Sequence, residues 1–130
     1  FVNWTDLHVY YGMSDVFMTA SLSEMHSMTI LEALISSLPI VARRDSSYLD
    51  TVFPGRNGFL ADTDAEMLEC VLKLVDDPAL RARFGAESRA ISDQFSIETH
   101  AKKTVAFYEA VLEAFPRPLD EALLRAQVEL

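Results

Sequence analysis

Short apolar runs alternate with helical spacing from Phe1 to Ala61, and this alternation most narrowly limits what the chain can fold into. It predicts an α/β domain built on a parallel sheet, because parallel strands need a helical crossover between them. The strand candidates are Phe1 to Asn3, Val16 to Ala20, Pro39 to Ala42 and Gly58 to Ala61, about four short strands. Helices are expected between them at Asp6 to Met13, Met28 to Leu38 and Ser47 to Val52. Arg56, Asn57 and Gly58 read as a turn, since Asn and Gly tolerate positive φ. After Ala61 the pattern becomes purely helical: Asp64 to Val75, Ala79 to Gln94, Ser96 to Phe115, and a last helix from Leu119. Thr63 followed by Glu66 forms a capping box, Ser96 stands as an N-cap, and Asp77-Pro78 marks a break that proline can start but not occupy internally.

With 130 residues, half of them hydrophobic, the chain can bury one core but not two. The expectation is therefore a partial Rossmann-like three-layer domain over 1–115 and a C-terminal helix over 116–130. Pro116 and Pro118 set that helix apart, and its Leu119, Leu123, Leu124 and Val128 want a surface that a missing partner domain would provide. A small sheet starting at once on a strand looks like a fragment of a larger domain.

Charge excludes several classes. A net charge of -9 repels nucleic acid unless basic residues cluster, and the densest basic sites are only pairs such as Arg43-Arg44 and Lys102-Lys103. No apolar stretch nears the roughly 18 residues a membrane span requires. The single cysteine, Cys70, cannot build a disulfide framework and sits in a helical pattern as a small hydrophobe, which fits a reducing cytoplasm. Four glycines, at 12, 55, 58 and 85, write neither a P-loop nor GxGxxG.

Chemistry concentrates elsewhere. From Val16 to Ala42 the only ionised side chains are Glu24 and Glu32, where the chain's average of 24% charged would put roughly six. Leu31, Leu34, Ile35 and Leu38 form the buried stripe of the helix. Glu32 lies about 100° round from Leu31, beside Met28, Thr29 and Ser36, at a border rather than on a solvated face. Glu24 precedes that helix, just past the carboxyl end of a strand, where open α/β sheets bind ligands. The loop Ser23 to Ser27 leads into a helix start whose free N–H groups and positive dipole end seat a phosphate, with Ser27 or Thr29 adding a hydroxyl. A carboxylate on such a helix suits the vicinal hydroxyls of a ribose.

Glu24, seven residues, then Glu32 resembles the signature of the family 4 retaining glycosyltransferases. Tyr10, Tyr11 and Ser14-Asp15-Val16-Phe17 occur in that family's order, followed by Ala20-Ser21-Leu22-Ser23-Glu24, Leu31-Glu32-Ala33-Leu34 and Leu38-Pro39-Ile40-Val41-Ala42. Gly55-Arg56-Asn57-Gly58-Phe59-Leu60, Asp76-Asp77-Pro78 and Phe95-Ser96 complete a likeness covering residues 1 to 115. The resemblance implies the C-terminal, donor-binding half of a GT-B fold, and a hexosyl transfer from a nucleoside diphosphate sugar with retention at the anomeric carbon. It also implies that Glu24 contacts the donor sugar as the catalytic carboxylate, that Met25, His26 and Ser27 line the sugar through their backbone, that Met28 and Thr29 face the diphosphate, and that Glu32 holds the ribose. No cofactor and no metal are implied. The family's usual glycine after the first glutamate is replaced by Met25, His26 and Ser27, and its phosphate-clamping Arg and Lys lie upstream of Phe1. The run Val41-Ala42-Arg43-Arg44-Asp45 with Tyr48-Leu49-Asp50 is similar to the diacylglycerol glucosyltransferases, which implies UDP-glucose as donor, a lipid or glycan acceptor held by the absent N-terminal domain, and peripheral association with the inner face of a membrane. The fragment alone is then expected to be inactive.

Plainer readings stand beside these. Glu24 and Glu32 can be ordinary helix charges, and His26 a loop histidine. His8 and His100 share no ligand spacing, and Asp62-Thr63-Asp64 is accounted for by helix capping without a metal. Met13, Met18, Met25, Met28 and Met67 read as core and pocket lining. The competing class is a noncatalytic α/β interaction module that pairs through its sheet edge and acidic helices.

Overall fold

The computed structural model describes residues 2–115, and the C-terminal helix expected over 116–130 lies outside them. The chain divides after Ser96 into two compact units. In the first, three parallel strands, β1 (Phe17–Thr19), β2 (Ile40–Arg43) and β3 (Gly58–Ala61), form an open sheet in the order β1-β2-β3. Phe17 pairs with Ile40, and Ile40 with Gly58. Helices α1 (Leu7–Gly12), α2 (Met28–Ile35), α3 (Asp64–Asp76) and α4 (Pro78–Ser92) complete the unit. The second unit begins with α5 (Ile97–Ala114), which follows directly on Ser96.

Because β2 is central, its side chains are buried alternately on both faces, as parallel sheets require. Ile40 and Ala42 join Ile30, Ala33 and Leu34 of α2 in one cluster. Val41 points the other way, into Ala61, Met67, Leu74 and Phe84. Helix α4 serves both layers: Ile91 belongs to the first cluster and Phe84 to the second. Its Ser88 hydroxyl donates to the Leu38 carbonyl at 2.7 Å.

Some elements differ from expectation. Val2 and Asn3 form no strand, and Trp4–Asp6 is a 3-10 turn running into α1. The helix expected to reach Leu38 stops at Ile35, because Ser37 takes φ 59° and the N–H of Leu38 returns to the Ala33 carbonyl, a left-handed stop. The Ser47 to Val52 helix is a single 3-10 turn, Ser46–Tyr48. There the Asp45 carboxylate accepts from both the N–H and the hydroxyl of Ser47, at 2.9 and 2.7 Å, which favours a turn over a helix. In the Arg56 to Gly58 turn, Gly55 rather than Asn57 carries the positive φ, 79°. Gly58 is needed for closeness: a Cβ there would sit 2.1 Å from the Ile40 carbonyl oxygen.

The cap predicted at Thr63 forms. Thr63 accepts from the Glu66 N–H at 3.2 Å, and the Glu66 carboxylate takes the Asp62 N–H at 2.8 Å. Asp77 caps α4 by accepting from the Leu80 N–H, with Pro78 in the first turn.

Candidate functional site

The site assembles where β1 ends. From Thr19 the chain passes through an exposed loop and enters α2 at Ser27. The loop is held from below by Tyr48, fully buried, whose phenol donates to the Ser21 carbonyl at 3.1 Å. Glu24 is exposed in this loop and makes no hydrogen bond or ion pair among the described residues. Met25 projects almost wholly into solvent, at 96% exposure. His26 places Nδ1 3.8 Å from the Asp50 carboxylate and its ring beside Phe95, 6.0 Å between centroids.

Ser27 is buried and occupies the N-cap position of α2, yet its side chain does not cap. Its hydroxyl instead pairs with that of Thr29 at 2.9 Å. The first turn of α2 also lacks any acidic residue, in contrast to α3 with Asp64 and Glu66. The electropositive end of α2 is therefore neutralised neither by a side-chain cap nor by a carboxylate of its own first turn, which leaves it suited to an outside anion. Met28 and Thr29 stand exposed at this end.

One turn further along, Glu32 is half-buried and accepts a 2.8 Å hydrogen bond at Oε2 from the Tyr11 phenol of α1. The same phenol lies 3.4 Å from the Thr29 carbonyl. Burial, then the hydrogen bond to Glu32 and its charge, push the Tyr11 phenol well above its ordinary range, so it remains a donor. Glu32 lines a cavity of about 240 Å³ together with Trp4, Leu7, His8, Tyr11, Ile35 and Ser36. None of Glu24 to Thr29 lines that cavity. The structure thus brings Ser27, Thr29, Glu32 and Tyr11 together around α2, and leaves Glu24 and Met25 on the open loop.

Sequence reasoning assigned no role to Tyr11, Tyr48 or Asp50. Tyr11 and Glu32 are 21 positions apart, and no local periodicity links them. Tyr48 left a faint signal as the one aromatic in the polar stretch Arg43 to Asp50.

Elsewhere, Asp62 and Asp64 are occupied by ion pairs to Arg44 and Arg43. No group of three His, Cys, Asp or Glu side chains among the described residues is arranged to hold a metal. Cys70 packs partly buried against the second core cluster, and burial raises its thiol pKa. No helix among the described residues is long and apolar enough to cross a membrane.

A parallel sheet covered on both faces, with the exposed loop to α2 leaving the carboxyl end of β1, defines a Rossmann-like α/β domain. The chain belongs to the glycosyl transferases group 1 family, whose profile matches residues 1–91. It is 26% identical over 121 residues to an alpha-monoglucosyldiacylglycerol synthase of Acholeplasma laidlawii, covering 93% of this chain and 30% of that protein. An alpha-galactosylglucosyldiacylglycerol synthase of Streptococcus pneumoniae is 30% identical over 99 residues, covering 76% of this chain and 26% of that one. A D-inositol 3-phosphate glycosyltransferase of Arthrobacter sp. is 29% identical over 116 residues, covering 88% and 28%. Among solved structures, sucrose-phosphate synthase from Thermosynechococcus elongatus, a GT-B protein, superposes with a TM-score of 0.75 at 25% identity over 88% of this chain and 29% of that one. The chain spans about 30% of the length of these relatives.

Proposed function

We propose that this chain supplies the donor-binding part of a retaining hexosyltransferase, holding a nucleoside diphosphate sugar whose diphosphate sits at the N-terminus of α2. The observation that carries the reading is the uncapped, acid-free first turn of α2, with Glu32 one turn beyond it. Met28 and Thr29 face the diphosphate, and Glu32 takes the ribose hydroxyls through the oxygen that Tyr11 leaves open. Glu24, with Met25, His26 and Ser27, meets the sugar. Glu24 needs no fixed protein partner for this, because the donor's own hydroxyls supply one. Catalysis then consists of positioning and of stabilising charge on the departing diphosphate, without a metal.

UDP-glucose is the donor we favour, with a lipid acceptor, since two of the relatives are glycolipid synthases. The acceptor site belongs to sequence beyond this chain, so the fragment by itself binds donor without transferring it. The full-length protein works in the cytoplasm at the inner face of a membrane.

Ligand-observed NMR of the full-length protein with UDP-glucose, UDP, GDP-mannose and ADP tests the reading. Binding of UDP-glucose is expected, together with a loss of transfer by about 100-fold or more in Glu24→Gln when binding is retained. Absence of binding to every nucleotide favours a noncatalytic interaction module instead.

A further inference from the structure

We infer that Tyr11 is a positioning residue that orients Glu32 for its ligand, an assignment that rests on the ribose role proposed for Glu32. A glutamate side chain on a helix edge has three rotatable bonds, and holding it in one rotamer costs entropy each time a ligand binds. Here that cost is met in advance by a phenol from another helix. The Tyr11 hydroxyl donates its proton to Oε2 of Glu32 at 2.8 Å and lies 3.4 Å from the Thr29 carbonyl in the first turn of α2. The ring itself is steadied against Phe17 of β1, 6.1 Å between centroids. One carboxylate oxygen is thereby committed to the protein, and Oε1 is left as the acceptor beside the cavity that both residues line.

This arrangement has a specific geometric consequence. α1 and α2 do not follow each other directly in sequence, since β1 lies between them, so the Tyr11–Glu32 bond couples the aim of the carboxylate to the packing of α1 on the site. Tyr11 touches no reacting atom and acts only through Glu32.

A double-mutant cycle in the full-length protein tests it. Calorimetric titration with UDP, GDP and ADP selects the nucleotide bound most tightly, and that nucleotide and its 2′,3′-dideoxy analogue are titrated into wild type, Tyr11→Phe, Glu32→Ala and the double variant. Phenylalanine keeps the ring and its packing, so thermal melts serve as the control for folding. Expected is a weakening of about ten-fold in Tyr11→Phe, the loss typical of one charge-assisted hydrogen bond, at least as much in Glu32→Ala, and no further loss in the double variant. The dideoxy analogue should bind wild type and Tyr11→Phe equally. Additive losses, or an unchanged Tyr11→Phe beside a weakened Glu32→Ala, overturn the positioning role alone. An unaffected Glu32→Ala, or failure of all three nucleotides to bind, overturns the ribose contact and the positioning role with it.

Discussion

At the scale of single residues, Asn57 shows how much a buried amide can do. It is fully buried, donates to the Thr51 carbonyl at 3.0 Å, and accepts from the Phe53 N–H at 2.8 Å, while its own carbonyl receives the Ile40 N–H. Asn57→Ala leaves the part-buried Phe53 N–H and the buried Thr51 carbonyl without these partners, and a loss of about 2 to 3 kcal/mol is expected in urea unfolding. Its sequence neighbourhood announced a turn, and a turn forms, but the residue acts through its side chain rather than through positive φ. Tyr11 makes a second prediction. Its folded pKa is raised above the ordinary value of 10.0, so its stabilising contribution is complete below that value and is lost as pH rises through the folded one. As pH rises above about 10 the stability advantage of wild type over Tyr11→Phe should shrink, as chemical unfolding at each pH can measure. An advantage that stays constant over that rise would contradict the raised pKa.

At the scale of elements, local signals specified helix starts better than helix ends. Thr63 with Glu66, and Asp77 with Pro78, each concern a donor within three or four positions, so their geometry is written in the chain. Thr63→Ala should cost about 1 kcal/mol and lower the melting temperature accordingly, whereas Thr63→Ser should restore most of it. Helix ends were less legible. The stop of α2 depends on Ser37 entering the left-handed region, where a Cβ on Gly85 of α4 would lie 2.4 Å from the Ser37 carbonyl oxygen. That close approach joins positions 48 apart in sequence and leaves no local trace. The 3-10 turn at Ser46–Tyr48 likewise reflects a polar network around Asp45 and a tyrosine drawn into the core, both invisible to a 3.6-residue period.

At the scale of the whole molecule, a donor that binds only the folded state should stabilise it. If UDP-glucose is the ligand, a concentration of about 100 times its Kd should add about 2.7 kcal/mol and raise the melting temperature, and Glu32→Ala should need more UDP-glucose for the same rise. A melting temperature indifferent to the nucleotide would count against the donor-binding reading. The alternation of apolar runs and helical spacing by itself determined the layered α/β class, the parallel sheet and the helix carrying Glu32, because these follow from local periodicity and from what parallel strands require. Only the tertiary structure decided which surfaces meet: that Tyr11 reaches Glu32, that Tyr48 holds the loop at Ser21, and that Glu24 stands open to solvent while Glu32 lines a cavity. Those contacts join residues more than twenty positions apart, and their energy comes from burial and from hydrogen bonds that exist only once the layers have packed.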